Sequence, residues 1–166
     1  MFTLKKLSKT AVPQALENAE RYRVRKEPFE AQSICRDVLD ADPGNQNAMI
    51  LLLLALADAF DRNLTTNYQE AERILSGLGD RYCKAFYGGL IAECRAKVHL
   101  AREEPGSGRL AYEWFRKAMH LYDQALQTCS PGNPEAALRW NTCARTIMQN
   151  PHLEPAEPQG PLPMLE

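Results

Sequence analysis

Three segments of this chain repeat one spacing that few architectures can use. "EAQSICRDVL" (30–39), "EAERILSGL" (70–78) and "KAMHLYDQAL" (117–126) each set an alanine four residues before a larger side chain and seven before a smaller or aliphatic one. The triplets are Ala31/Cys35/Val38, Ala71/Leu75/Leu78 and Ala118/Tyr122/Ala125. Positions i, i+4 and i+7 share one face of an α-helix, and a small residue there admits the ridge of a closely crossing neighbour. The pattern predicts paired helices, and no segment alternates convincingly with a strand period. The expected fold class is all-α.

Punctuation between apolar stripes divides the chain into seven helices. Thr10 and Pro13 open the first, which runs to about Lys26; Pro28 begins the second, through Asp40. "ADPGN" stops it, and Asn45 caps a third helix over 46–62. "RNLTTN" reads as a loop, with Asn67 capping a fourth helix to about Leu78. A long fifth helix spans about Arg81–Glu104, ended by "EPGSG"; a sixth covers roughly Arg109–Thr128, ended by "SPGNP"; the seventh runs from about Pro134 to Gln149. The expected layout is a lead segment at 1–10, a helical domain at 11–150 and a Pro-rich flexible tail at 151–166, whose end "PMLE" reads as an inert or loosely packed tail before it reads as a docking peptide.

The most apolar run, "MILLLLALADAF" (49–60), falls in the third helix. About 20 apolar residues are needed to cross a bilayer, and runs of 10–14 are typical of buried helices. The expectation is a core helix, not a membrane span. The net charge of -1 favours neither nucleic acid nor an anionic membrane. Charge is zoned, however: residues 1–26 carry seven Lys/Arg against two glutamates, 27–80 three against ten acidic residues, and 81–150 ten against six. Solvated helix faces are the ordinary explanation, and complementary contact with a partner or a second copy is the other. Five cysteines, odd in number, widely spaced and without C-x-x-C, suggest free thiols in a reducing compartment. The lysine-bearing start lacks the apolar run of a secretory signal, so a cytoplasmic location is expected.

The first unit can be followed against a known repeat. Ala15, Asn18-Ala19 and Tyr22 occupy the Trp, Leu-Gly and Tyr slots of W-x2-L-G-x2-Y; Ala31-x3-Cys35 stands for A-x3-F, and Pro43 closes the unit. Met49, Leu52-Leu53 and Leu56 restart the pattern 34 residues on. In these residues the chain resembles the tetratricopeptide repeat family over about 12–149, with two further, degenerate units: Ala31 to Ala71 is 40 residues and Ala71 to Ala118 is 47. The resemblance implies a right-handed α-α superhelix of about three helical hairpins plus a C-terminal capping helix. It also implies a concave face, built by the first helix of each pair, that receives a peptide or protein. The basic clamp by which some members hold an acidic chaperone tail is absent from the matching positions, Leu16, Glu20, Asn47, Ile50 and Leu51.

Helical spacing directs Glu20, Arg23, Asn47, Ile50, Leu54 and Asp58 toward such a concavity, with Glu93, Lys97 and Asn141 joining them; Ile50 and Leu54 serve equally well as core. In "LRWNTCARTIMQNPHL", Arg139, Asn141 and Arg145 form either an anion grip or the solvated outer face of the last helix, with Trp140 packed inward. Trp114 and Phe115 beside Arg116 and Lys117 read as core before they read as a base-stacking platform, so nucleic acid is not expected. His99, His120 and His152 are scattered, Cys94 and His99 make a poor chelate, and "EEPGSGR" lacks the phosphate-loop pattern. No catalytic residue, metal or cofactor is expected. The functional expectation is a protein–protein interaction module or adaptor, with a self-associating assembly subunit, and hence a homo-oligomer, as the alternative.

Overall fold

The computed structural model describes residues 1–155. Among them are seven α-helices and no strand: α1 (Val12–Val24), α2 (Pro28–Ala41), α3 (Gln46–Ala57), α4 (Leu64–Ser76), α5 (Arg81–Ala101), α6 (Ser107–Leu126) and α7 (Glu135–Gln149). A single 3-10 turn, Lys9–Ala11, leads into α1. Each helix packs on its predecessor, and α1, α3 and α5 also touch one another in order. On the other side, Arg36 of α2 pairs with Glu70 of α4 at 3.0 Å, and Tyr68 of α4 meets Trp114 of α6 edge-on at 5.2 Å. The chain therefore builds packed helix pairs laid side by side in sequence order.

The alanine triplets lie where these pairs meet. Eight of the nine residues are buried, and Leu75 is half-buried. The apolar run in α3 is the middle of the core: Leu53, Ala55 and Leu56 are 0 % exposed, while Ile50 and Leu54 are only partly covered. No described helix is long and apolar enough to cross a membrane.

Several boundaries move from their expected places for identifiable reasons. α3 ends at Ala57, and turns over 58–62 tuck Phe60 into the core at 1 % exposed. The fourth helix is capped by Asn63 rather than Asn67: the Asn63 side chain accepts from the Thr66 amide, and Leu64 is buried as the first helical residue. Asn67 lies inside α4 and donates its Nδ2 to the Ala59 carbonyl at 2.9 Å. α6 starts earlier than expected, at Ser107, after Gly106 turns the chain at a φ of +83°. The beginning of the tail does not leave the domain. Leu153 is 5 % exposed within the α5–α6–α7 core, and the His152 carbonyl lies 2.7 Å from where a Cβ on Gly108 would be. The remainder of the expected flexible tail, with "PMLE", falls outside the described residues.

Candidate interaction surface

The first cluster of expected partner-facing residues forms at the end of the α1–α2 pair. α1 closes in a tight C-terminal turn, with the Lys26 amide donating to the Arg23 carbonyl and the Glu27 amide to that of Tyr22, both at 2.9 Å. Lys26 takes a φ of +61° to do this, a left-handed conformation that costs a non-glycine residue about 1 kcal/mol. The turn places Arg23 against the end of α3, where its Nε donates to Asp58 Oδ2 at 2.8 Å and its Nη2 to Oδ1 at 3.4 Å. Arg23, Asp58 and Glu20 line one hollow of about 570 Å³ with Lys26, Asp61 and Arg62. Val24, 79 % exposed, adds an apolar patch to its wall.

The second cluster lies between α5, α6 and α7 and is built around a buried carboxylate. Glu93 is 1 % exposed. Its Oε2 accepts from the Tyr122 hydroxyl at 2.7 Å, and its Oε1 accepts from Lys97 Nζ at 2.5 Å and from Arg139 Nη1 at 3.1 Å. Lys97 and Arg139 are themselves half-exposed, at 47 % and 40 %, so one buried negative charge faces two positive charges that reach water. Burial opposes the charge on Arg139, but Glu93 and the neighbouring groups outweigh it and hold the guanidinium above its ordinary pKa. Burial first, and then Glu93, pushes the Tyr122 hydroxyl well above the usual phenol range. The same two causes raise the Cys94 thiol to about 11 and the Cys143 thiol to about 12, which disfavours the thiolate of both at neutral pH.

Glycine makes this cluster possible. A Cβ on Gly89 would sit 2.7 Å from Cε1 of Tyr122. Only a bare backbone lets the ring lie flat enough on α5 for its hydroxyl to reach Glu93 one turn further on.

The two clusters belong to one strip. Leu54 packs on the apolar groups beneath both. α1, α3 and α5 pack against one another in order, and Arg139 ties α7 to α5 through Glu93. Glu20, Arg23, Asp58, Glu93, Lys97 and Arg139 thus follow one another across α1, α3, α5 and α7.

Three expected residues do not join them. Asn47 is exposed at the start of α3, eleven residues and about 16 Å of helix from Asp58. Asn141 and Arg145 are exposed on the side of α7 opposite the buried Ala136 and Cys143, whereas Arg139 turns inward to Glu93. The three α7 residues therefore do not form one grip. Tyr122 is core, as its spacing marks it, and from there bonds Glu93 beneath the strip, while Lys26, Asp61 and Arg62 complete the hollow without any helical periodicity to announce them.

Trp114 and Phe115 are bound up in packing. Phe115 is fully buried, and the Trp114 ring holds Arg95 at 4.1 Å and Lys117 at 4.5 Å from its centroid; Arg95 also lies 4.4 Å from that of Tyr68. Those aromatic faces are engaged by the chain's own cations. Among the described residues, no group of three or more His, Cys, Asp or Glu side chains is placed to hold a metal ion. Comparison with protein-family models, with curated proteins and with solved structures finds no match for this chain.

Proposed function

We propose that this chain is a non-catalytic interaction module of tetratricopeptide-like architecture. Three helical hairpins wind into a right-handed superhelix, and α7 closes its last pair. A peptide or protein surface lies across the strip made by α1, α3, α5 and α7, and the module works as an adaptor in the cytoplasm. The observation that carries this reading is the strip itself. Six charged side chains carried by α1, the turn after α3, α5 and α7 form two neighbouring clusters, and all but Glu93 remain at least partly open to solvent. Supporting it are the chain-order packing of the helices and the start points of α1, α3 and α5 at Val12, Gln46 and Arg81, close to one repeat length apart.

The partner engages fixed charges in such a surface, because ion pairs within the strip hold their side chains in place before binding. Swapping one pair, Arg23→Asp with Asp58→Arg, keeps the intramolecular attraction and inverts the charges shown to the partner. Affinity capture by the full-length chain, followed by identification of what is bound, is expected to lose its partner in the swapped variant while helical circular dichroism stays unchanged. Equal capture by both proteins would remove this end of the strip from the site.

A further inference from the structure

The outer face of α7 carries a self-complementary stripe. Leu138, Asn141, Arg145 and Met148 follow at spacings of three, four and three residues, the a-d-a-d positions of a heptad seam. They lie on the side of the helix away from Ala136 and Cys143, which pack on the preceding helices. Leu138 is 55 % and Met148 79 % exposed, the two largest apolar exposures on this helix, and Asn141 and Arg145 are exposed between them. The Thr142 hydroxyl beside the stripe donates to the Leu138 carbonyl at 2.9 Å, so it asks nothing of a facing surface.

The order of the four residues is what identifies the occupant. The stripe reads apolar, amide, guanidinium, apolar, and its midpoint falls at position 143 for both the outer and the inner pair. Two copies of α7 laid antiparallel about a two-fold axis at that level bring Leu138 of each against Met148 of the other. They also bring Arg145 of each against the carboxamide oxygen of the other's Asn141. Every apolar end then meets an apolar end and every polar centre a hydrogen-bonding partner, which is the requirement of an isologous interface. A parallel arrangement would instead face the two arginines directly and leave Leu138 on Leu138. An unrelated partner would have no reason to match this symmetry.

We propose that the exposed face of α7 is a homodimer seam in which a second copy of this chain packs antiparallel, through Leu138–Met148 and Asn141–Arg145 contacts. The seam lies on the opposite side of α7 from Arg139, so it leaves the strip of charged groups free, and it stands whether or not that strip binds a partner. A polar centre in an apolar seam sets register at some cost in strength, so the dimer is a reversible one.

Sedimentation of the full chain over a range of concentrations is expected to show a monomer–dimer equilibrium. The double variant Leu138→Glu with Met148→Glu, both at exposed positions, should weaken it by about a hundredfold or more with unchanged helicity, since it removes both apolar contacts, four side chains, per dimer. Cysteine pairing then fixes the geometry. Leu138→Cys mixed with Met148→Cys should form a covalent dimer above the background of the native thiols. Either variant alone should not, because the antiparallel seam holds identical positions about 15 Å apart along the axis. A wild-type chain that stays monomeric would overturn the proposal, as would a dimer indifferent to the glutamates or one cross-linked equally by single variants. A monomer that dimerises only once residues 156–166 are removed would overturn it in favour of the tail as occupant.

Discussion

The two ends of the charged strip solve the same problem in opposite ways. At the α1–α3 end, Arg23 and Asp58 meet near the surface, with their side chains 23 % and 39 % exposed. At the α5–α7 end, Glu93 is buried and three donors from three helices converge on it. An exposed pair gains little because water competes for both charges and salt screens them. A buried carboxylate has lost that water, so its partners replace a solvation that it cannot recover without unfolding. The first end therefore orders two surface charges at little gain in stability, and the second is a structural joint that also shows two cations to solvent.

The largest expected effect is at the joint. Replacing Lys97 and Arg139 together by methionine leaves Glu93 with Tyr122 alone, and should destabilise the chain by about 3 kcal/mol, the lower end of the range for orphaned buried charges because water reaches both partners. Urea unfolding measures it; a loss below about 1 kcal/mol would mean that the joint is no stronger than the surface pair. Next is Gly89→Ala. Alanine improves helix propensity by about 1 kcal/mol, but its Cβ would overlap the Tyr122 ring, and a net loss of about 1–2 kcal/mol is expected as Tyr122 leaves Glu93. The diagnostic is the near-ultraviolet signal of the tyrosine together with the midpoint of thermal unfolding; a more stable variant would show that the ring yields without cost. The smallest effect is Arg23→Met, expected to change stability by less than about 1 kcal/mol and to lose even that in high salt. If it matches the Lys97/Arg139 variant in the same urea titration, the contrast between the two ends disappears.

Much of the fold was legible because it is written locally. The alanine triplets mark faces that are buried, and Asn45, expected as a cap, accepts from the Ala48 amide at 2.9 Å. The choice between Asn63 and Asn67 was not local. Both are good caps, and what decides is the burial of Leu64, which requires the helix to begin one turn earlier. The site was legible only in part. Glu93 and Lys97 are four apart, so their shared face follows from helix geometry; Arg139, 46 residues further on, reaches the same carboxylate only because α7 packs where it does. Asn47 shows the converse error, since a helical wheel reports a face and not which end of the helix stands at the site. One signal went unused. Two adjacent glycines inside a helix, Gly88 and Gly89, carry a propensity cost of about 1 kcal/mol each, and such a cost in the middle of α5 points to close approach by another element.

By itself, the sequence determined how many helices form, roughly where the breaks between them fall and which faces they bury, because Pro-Gly breaks and i, i+4, i+7 spacing act within a few residues. Only the tertiary structure decided which charges are consumed by one another and which are left to meet something else. That depends on distance and on loss of water, and both are properties of neighbours that lie far apart in the chain. Arg139 and Arg145, six residues apart on one helix, show it: the first turns inward to a buried carboxylate, and the second points away from the molecule.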